Sequence, residues 1–267
     1  MTYPTVLTIA GSDSGGGAGI QADIKAISAT GGYAASAITA ITVQNTLGVE
    51  EVFPIPPKVI ASQIDAVLSD IGACAIKIGM LHSAQVIEAV CDMLQKHHVK
   101  NIVLDPVMVS TSGHRLIEES AVCSLQELLI PMASIITPNI PEAEILLGQR
   151  ITTCSQLPQA AEALSLGGKV SVLMKAGHLD DENLIDYFYN AQTHTITPLP
   201  SLRINTQNTH GTGCTLSSAL ASYLAQGLDL TSAAKAAKSY ISKAIAAGAK
   251  YQIGHGHGPV CHFFEKN

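Results

Sequence analysis

The sequence predicts an α/β fold in which a central, mostly parallel sheet is flanked by helices. Short apolar runs rich in β-branched residues alternate with longer stretches that carry apolar residues at three- and four-residue spacing. The short runs are apolar on both faces, as strands of a helix-covered parallel sheet must be. Hydrophobic residues make up 47% of the 267 residues and charged residues 13%, which is ample for a large core. Regular alternation implies right-handed crossovers between neighbouring strands.

The predicted strands fall into two groups. Those of the parallel sheet are residues 6–10, 33–43, 76–78, 102–104, 134–137 and 170–174. Beyond residue 180 the pattern changes, because residues 183–189 and 193–198 alternate around a polar turn at 190–192. That arrangement predicts an antiparallel pair.

The predicted helices lie between and after these strands. They are residues 19–30, 57–69, 84–96, 115–129, 141–147, 156–166, 212–226 and 231–250. Ser83 and Ser155 stand where N-caps are expected, one residue before a periodic stretch. No linker-like composition and no internal repeat divides the chain, so we predict a single domain over residues 1–267.

Composition excludes several classes of function. The net charge of −6 argues against a nucleic-acid binder, which normally carries a basic face. No stretch reaches the roughly 20 apolar residues that span a bilayer. The first residues lack the basic segment of a secretory signal, so we expect a cytoplasmic protein. Its six scattered cysteines are then expected to be reduced thiols.

Residues 11–19, the first glycine loop, hold five glycines between the first predicted strand and helix. A loop at this point of an open α/β sheet commonly meets a ligand, since backbone N–H groups converge at the helix start. The Walker pattern fails because no lysine follows the glycines. A dinucleotide fingerprint fits loosely, but the expected acidic residue is missing from residues 38–46. We therefore predict a close backbone approach to a ligand other than a nicotinamide cofactor.

Residues 209–215, the second glycine loop, precede a long helix rich in alanine and leucine. The amides of Gly211, Thr212 and Gly213 would form the positive end of that helix, which suits an anion. Cys214 lies in the first turn, where the same dipole lowers the pKa of a thiol. By itself, the segment could equally be a tight loop before a buried cysteine.

Several separated motifs together carry a family resemblance. The Gly-Thr-Gly-Cys sequence at 211–214 resembles a variant of the G-x-G-D signature of ribokinase-like sugar and vitamin kinases. Cysteine in place of the acid resembles the hydroxymethylpyrimidine and phosphomethylpyrimidine kinases of thiamine biosynthesis. Further segments match this branch in order: residues 11–23, 39–46, 77–81, 105–108, 137–139 with Glu142, and 255–260. The resemblance implies a three-layer ribokinase-like sandwich.

The resemblance also implies the chemistry of the second glycine loop. Cys214, as a thiolate, would accept the proton of the substrate hydroxymethyl group. The amides of Gly211, Thr212, Gly213 and Cys214 would hold the oxygens of the transferring phosphoryl group. Phosphoryl transfer requires positioning and charge stabilisation more than covalent chemistry, so such a loop suits it.

The implied cofactors are ATP and Mg²⁺. Lys175 follows a strand at a position where the superfamily has a nucleotide-contacting residue, and Thr209 and Asn139 are expected beside the nucleotide. Glu142 and Asp105 are the expected Mg²⁺ residues, in keeping with that ion's preference for oxygen ligands. Glu142 could instead serve only the dipole of its own helix.

The implied substrate is an aminopyrimidine. Gln44 offers a carbonyl and an amide group that can pair with an amino group and a ring nitrogen. Gly11, Asp23, Met80 and Val107 are expected to complete the substrate pocket. Alternative interpretations are a polar strand end for Gln44, a solvated or capping group for Asp23, and a core residue for Met80.

Further residues with functional side chains, and two other functions, are alternatives to this prediction. Lys77 is placed like Lys175, but a structural role is as plausible. The histidines at 255, 257 and 262 could suggest a metal site, whereas the resemblance makes them part of a glycine-rich segment. A pyridoxal or pyridoxine kinase and a non-catalytic vitamer-binding protein remain alternative functions. The resemblance further implies a homodimer, with no nucleic-acid or membrane partner.

Overall fold

The computed structural model describes residues 3–108, 117–177 and 183–266, and its centre is one nine-stranded sheet. The strand order is β3-β2-β1-β4-β5-β6-β7-β8-β9. The strands are β1 (Thr5–Asp13), β2 (Tyr33–Asn45), β3 (Gly48–Pro54), β4 (Ala75–Ile78), β5 (Ile102–Leu104), β6 (Ile135–Ile136), β7 (Ser171–Met174), β8 (Asn183–Asn190) and β9 (Thr195–Leu202). All pairings from β2 to β7 are parallel, while β3, β8 and β9 are antiparallel to their neighbours.

Helices cover both faces of the sheet. They are α1 (Gly19–Ala29), α2 (Pro57–Asp70), α3 (Ala84–Lys96), α4 (Glu119–Ser124), α5 (Ile140–Leu147), α6 (Leu157–Ala163), α7 (Thr212–Ala225) and α8 (Leu230–Gly248). One face packs against α2 to α6 and the other against α1, α7 and α8. The predicted fold class, a mostly parallel sheet in a three-layer sandwich, is confirmed.

Alternating side chains of the strands divide the core into two clusters. In β1, Leu7 and Ile9 belong to one cluster, and Val6 belongs to the other. This division follows from the two-residue period of a strand, which sends successive side chains to opposite faces. Each fully buried leucine, isoleucine or valine contributes about 1.5–3 kcal/mol relative to an exposed position. The two apolar clusters therefore hold the sheet and its two helical layers together.

The structure differs from the predicted elements at several points. β3 was not predicted, and the strand predicted at 134–137 shortens to two residues. The helix predicted at 115–129 starts outside the described residues, and its described part is α4 followed by a π-helical turn, Leu125–Leu129. The helix predicted at 156–166 ends at Ala163. Strand β2 is longer than predicted, extending to Asn45.

The two predicted N-caps had different outcomes. The side chain of Ser83 accepts a hydrogen bond from the Val86 amide, which confirms it as the N-cap of α3. Ser155 is not an N-cap. Thr153 caps a 3₁₀ turn, Cys154–Gln156, and its amide donates to Gln156 Oε1. This turn leads into α6. Within the described ranges, no helix combines the length and the apolar character needed to cross a membrane.

Candidate active site

A cleft of about 740 Å³ opens where the carboxyl ends of β1, β4, β5 and β7 meet the start of α7. Parallel strands bring the residues that follow them to one edge of the sheet, which is where ligands bind in open α/β folds. The cleft is lined by both glycine loops and by nearly all of the predicted site residues. Of these residues, only Asp23 is absent from the cleft wall.

The second glycine loop forms one end of the cleft. Gly211 is the N-cap of α7, and its φ of +77° is a left-handed conformation that favours glycine. A side chain on Gly211 would also collide with the backbone oxygen of Gly17 in the first glycine loop. The Thr212 amide donates to the carbonyl oxygen of Thr209, while the amides of Gly213 and Cys214 belong to the turn that has no intrahelical acceptors. This turn presents the positive end of α7 to the cleft.

Two charged side chains lie against this helix terminus. A β-carbon added to Gly213 would be 3.2 Å from Lys175 Nζ and 3.3 Å from Asp105 Oδ2. Lys175 Nζ donates to Asp105 Oδ1 at 2.9 Å, and Thr137 Oγ1 donates to the same oxygen at 2.9 Å. Burial alone would raise the pKa of Asp105, but the ammonium groups of Lys175 and Lys77 outweigh it and lower the pKa. Asp105 is therefore ionised at neutral pH.

Cys214 has a higher pKa than its position predicts. Burial raises the pKa of the thiol to about 11, and the carboxylates of Asp23 and Asp105 add to the rise. Lys77 and a hydrogen bond from the Gly19 amide act in the opposite direction but do not prevail. The lowered pKa that the helix terminus predicts is therefore wrong for the protein without ligands. At neutral pH Cys214 carries its proton.

Asp23 lies behind the cleft wall and not in the substrate pocket. Its side chain has no exposed surface, and Lys77 Nζ lies 2.9 Å from each of its carboxylate oxygens. Thr8 and Ser218 also donate to it, at 2.6 Å and 2.7 Å. With all of these donors, Asp23 is a structural partner of Lys77, which itself borders the cleft. The expectation that Asp23 contacts the substrate is therefore corrected.

The other predicted substrate residues share one wall of the cleft. Gly11, Gln44, Met80 and Val107 all border it. Gly11 leaves space beside Met80, because an added β-carbon would lie 3.2 Å from the Met80 sulfur. The Met80 backbone is held by Thr39, whose hydroxyl donates to the Met80 carbonyl oxygen at 2.8 Å. These four residues therefore lie together on the cleft wall.

Asn139 and Glu142 form a capping box at the start of α5. The Glu142 amide donates to Asn139 Oδ1, and the Asn139 amide donates to Glu142 Oε2, each at 2.9 Å. Both residues border the cleft near Lys175. Burial raises the pKa of Glu142 to about 7, with Lys175 opposing the rise and Asp105 adding to it. Glu142 thus serves its helix and also brings a second buried carboxyl group to the cleft.

The first glycine loop directs its amides inward. The Asp13 carboxylate accepts hydrogen bonds from the amides of Gly15, Gly17 and Ala18 at 2.8, 3.0 and 2.8 Å. These donors are consequently occupied by Asp13 instead of facing a ligand. The residues of this loop that border the cleft are Gly11, Ser12, Asp13, Ala18 and Gly19.

Sequence reasoning missed two pairs of residues at this site. Asp13 accepts from His210 Nε2 at 2.8 Å, and both residues stood inside motifs that were recognised without a role for either. At the other end of the cleft, Lys238 on α8 donates to Asp186 on β8 at 2.6 Å. No local pattern marked Asp186 or Lys238, because the pair forms only when α8 packs over β8.

The three C-terminal histidines have separate environments. Thr215 Oγ1 and His262 Nε2 are 3.0 Å apart, and burial lowers the pKa of His262 to about 4. His255 and His257 bind the segment around Thr46 through their backbone amides. Over residues 3–108, 117–177 and 183–266, no group of three or more histidine, cysteine or acidic side chains is arranged to hold a metal ion.

Comparison with known proteins identifies close relatives. The family model described as phosphomethylpyrimidine kinase matches residues 13–261. A hydroxymethylpyrimidine/phosphomethylpyrimidine kinase of Rhizobium meliloti is 48% identical over 258 residues, covering 96% of each chain. The crystal structure of phosphomethylpyrimidine kinase from Clostridium difficile has a TM-score of 0.79 and 45% identity, covering 90% of this chain and 99% of that one.

A structural neighbour with a different substrate in its name is also similar. The pyridoxal kinase from Staphylococcus aureus in complex with AMP-PCP and pyridoxal has a TM-score of 0.89 and 31% identity. The alignment covers 99% of this chain and 95% of that one. The fold is therefore shared by proteins that are named for two different substrates, so the fold alone does not decide between them.

Proposed function

Because the chain belongs to the phosphomethylpyrimidine kinase family, we propose that it phosphorylates 4-amino-5-hydroxymethyl-2-methylpyrimidine with ATP, and then converts the monophosphate to the diphosphate. These two steps supply the pyrimidine half of thiamine diphosphate. The single observation that carries the proposal is the position of the α7 terminus. It faces the same cleft as Gln44, so an anion held by the second glycine loop lies beside a ring held at Gln44.

The substrate end of the cleft fits an aminopyrimidine. Gln44 presents both a donor and an acceptor, which match the ring nitrogen and the amino group. Gly11, Met80 and Val107 supply the flat walls around the ring. The hydroxymethyl group of such a ring would then lie toward Cys214. The role of each residue in binding is part of the proposal.

Phosphoryl transfer is assigned to the second glycine loop and its neighbours. The amides of Gly211, Gly213 and Cys214 would stabilise the charge that spreads over the transferring phosphoryl oxygens, whereas the Thr212 amide, which was also expected to do so, donates to the Thr209 carbonyl oxygen. Lys175, next to Gly213, would add a positive charge at the same point. Such preorganised donors act more strongly in a buried site than in water.

Cys214 is assigned the role of the base that accepts the proton of the hydroxymethyl group. Only its thiolate form can accept that proton, and Lys77 and the Gly19 amide favour this form without making it dominant. The second step differs, because a phosphate monoester has its second pKa near about 6 and is largely ionised at neutral pH. The base is therefore needed for the first step and not for the second.

The nucleotide is assigned to the opposite end of the cleft. Leu202 of β9 and Ile241 and Ile245 of α8 line the cleft and would contact the flat face of a base. Asn139 and Lys175 border the same cleft, as does Thr209 at the start of the second glycine loop, and these three residues would contact the nucleotide. The Staphylococcus aureus relative binds AMP-PCP, an analogue of ATP, which supports ATP as the phosphoryl donor.

Magnesium is assigned to the two buried carboxyl groups of the cleft. Burial and the ionised Asp105 raise the pKa of Glu142 more than Lys175 lowers it, so the two carboxyl groups together are not fully neutralised by Lys175. A divalent cation supplies that charge, so these residues fit Mg²⁺, which also retains water ligands. Bound Mg²⁺ would neutralise phosphate charge, while Glu142 and Asp105 hold it in position.

Two alternative functions remain to be tested against the first. A pyridoxal kinase is favoured by the similarity to the Staphylococcus aureus enzyme, at lower identity than the pyrimidine kinases. A non-catalytic vitamer-binding protein would keep the ring pocket but would not need Lys175 and Asp105 beside the α7 terminus. The charged pair at that point supports catalysis.

The assembly and location of the enzyme are also proposed. Ile41, Val43, Leu47 and Phe53 expose apolar side chains along β2, β3 and the turn between them, and a second copy of the chain would cover them. We therefore expect a homodimer, which light scattering can test. The six cysteines, all within the described residues, are free thiols, and we therefore expect the protein in the cytoplasm.

Measuring ADP release in the presence of Mg²⁺ tests the function directly. The purified enzyme is given the pyrimidine alcohol, its monophosphate or pyridoxal under the same conditions. We expect turnover of both pyrimidines, with a higher kcat/KM for the pyrimidine alcohol than for pyridoxal. A higher kcat/KM for pyridoxal would favour the alternative kinase, and binding without ADP release would favour the non-catalytic protein.

A further inference from the structure

His210 links the two glycine loops to the ring pocket. Its Nε2 atom lies 2.8 Å from Asp13 Oδ2 and 3.3 Å from the Gln44 side-chain amide, although Gln44 and His210 are 166 positions apart in sequence. The imidazole is buried, with 8% of the residue surface exposed. Gly17 leaves the space for it, because a β-carbon at Gly17 would collide with His210 Cδ2. The ring is therefore held in one position against Gln44.

Asp13 determines which role His210 Nε2 plays. Burial would raise the pKa of the Asp13 carboxyl group, but hydrogen bonds from His210 and from the amides of Ala18 and Gly15 lower it. An ionised carboxylate can only accept hydrogen bonds. His210 Nε2 must therefore carry a hydrogen, whether the ring is neutral or charged. The one hydrogen on Nε2 is donated to Asp13 at 2.8 Å and can be shared only with an acceptor on Gln44 at 3.3 Å, because a protonated Nε2 has no lone pair to accept from a Gln44 N–H.

That conclusion decides the orientation of the Gln44 amide. The oxygen and nitrogen of a glutamine amide have the same shape, and their hydrogen bonds tell them apart. A donor at His210 requires Gln44 Oε1 to face it. The other end of the amide then faces Thr42 Oγ1, 3.0 Å away, which can accept from Nε2 because its own hydrogen can go to the Ser12 carbonyl oxygen, also at 3.0 Å. With the Gln44 amide in this orientation, His210 Nε2, the Gln44 amide and Thr42 Oγ1 each have a hydrogen-bond partner.

We propose that His210, fixed by Asp13, is a specificity-determining residue that holds the Gln44 amide with its oxygen toward His210 and its nitrogen toward Thr42. The remaining lone pair of Gln44 Oε1 and the remaining hydrogen of Nε2 then face the pocket in a fixed order. A ligand edge must present a donor opposite the oxygen and an acceptor opposite the nitrogen. An exocyclic amino group beside a ring nitrogen has this pattern.

This inference deepens the proposed function and rests on it for the identity of the ligand. A ring that lacks an amino group next to its ring nitrogen cannot satisfy both groups of Gln44. Leaving a buried polar group without its partner costs free energy, so the fixed amide discriminates against such a ring. A freely turning glutamine would adapt to either pattern and would discriminate less. His210 thus acts through Gln44 and is a positioning residue.

Two substitutions of similar size separate hydrogen bonding from packing. His210→Gln places an amide nitrogen near the position of Nε2 and keeps the donor, whereas His210→Leu fills the space without one. For His210→Leu we expect the KM for the pyrimidine alcohol to rise about ten-fold or more, with the KM for ATP nearly unchanged. His210→Gln should stay within about three-fold of the natural enzyme. Equal losses in both variants, or an unchanged KM in His210→Leu, would overturn the proposal.

A measurement on the ligand-free protein tests the same point without activity. Two-bond ¹H–¹⁵N correlation spectra report which imidazole nitrogen carries hydrogen, and the His210→Gln variant identifies the His210 signals among the ten histidines. We expect hydrogen on Nε2, and a ring protonated only on Nδ1 would refute the proposed orientation. If the natural enzyme failed to phosphorylate the pyrimidine, the proposed function would fall, while this spectrum would still decide the orientation of Gln44.

Discussion

Lys77 and Asp23 form an ion pair with a separation of 2.9 Å, and neither side chain is exposed to solvent. Thr8 of β1 and Ser218 of α7 also donate to the Asp23 carboxylate. Since Ser218 lies one helical turn after Cys214, the pair connects three central elements to the helix that begins at the second glycine loop. Removal of either charge would leave the other one buried without a partner.

We expect Lys77→Met or Asp23→Leu alone to lower the free energy of unfolding by about 3–5 kcal/mol. The double variant should lose less than either single variant, because it leaves no unpaired charge. Urea denaturation of the three proteins checks this. Losses in the double variant that equal the sum of the single losses would show that the two charges are not coupled.

Cys214 should react slowly with alkylating reagents at neutral pH. With a pKa of about 11, only about one thiol in ten thousand is ionised at pH 7, so the rate of carboxamidomethylation should rise with pH up to about 11. Peptide mass spectrometry resolves Cys214 from exposed Cys74 and Cys123, which serve as internal controls. A reaction midpoint below pH 8 would show that the thiolate is already favoured.

The same thiol should separate the two phosphorylation steps. Cys214→Ser removes a group that can ionise and keeps a similar volume, so we expect the first step to fall about 100-fold or more and the second step much less. Its kcat for the first step should also lose the rise with pH that the natural enzyme shows. An equal fall in both steps would assign Cys214 to binding instead of to proton transfer.

Glu142 should make stability depend on pH. Its folded pKa of about 7 lies above the unfolded value of about 4.3. Its contribution is therefore fully present below pH 4.3 and is lost as pH rises through about 7. In metal-free buffer we expect the melting temperature of Glu142→Gln to fall less over this range than that of the natural enzyme.

Magnesium provides the control for this effect. Binding of Mg²⁺ to the ionised carboxylate should restore part of the lost stability of the natural enzyme above pH 7, and should have little effect on Glu142→Gln. Thermal unfolding with and without MgCl₂ measures both. If Mg²⁺ stabilised the two proteins equally, Glu142 would not be a metal-holding residue.

Gly213 and Gly211 should respond differently to a methyl group. In Gly213→Ala the new carbon meets the end of Lys175 and Asp105, so the charged pair shifts, and we expect kcat to fall about 10- to 100-fold in a folded protein. In Gly211→Ala it meets the Gly17 backbone at a positive φ, so we expect a loss of stability. Kinetics and thermal unfolding of both variants test this contrast.

The fold was largely predictable because buried parallel strands have a simple signature. The apolar run at 102–104 matches β5 residue for residue, and the run at 76–78 lies within β4, which begins one residue earlier. Strand β3 was missed because Glu50 and Glu51 interrupt its apolar pattern and it pairs only with β2, at the edge of the sheet. An edge strand that is half exposed does not need to be apolar on both faces, and the prediction searched for runs of that kind.

Residues of the candidate active site were predictable where they belong to one short motif. Contacts between segments that are distant in sequence were not predictable. Gly211 and Cys214 were recognised from one heptapeptide, whereas the contact of Asp13 with His210 joins residues 197 positions apart. The pKa of Cys214 was misjudged for the same reason. Its helix terminus is a local feature, but its burial and the charges of Asp23 and Asp105 come from other elements.

The close packing of Gly17 against Gly211 has a consequence for protein engineering. A designer who transplants the segment around Gly211 from another kinase, in order to alter the phosphate donor, would also have to import the matching segment around Gly17. A transplanted segment with any residue other than glycine at position 211 would place its β-carbon against the Gly17 backbone oxygen, and no rotamer change can relieve that clash. The segments around Gly17 and Gly211 should therefore be exchanged together.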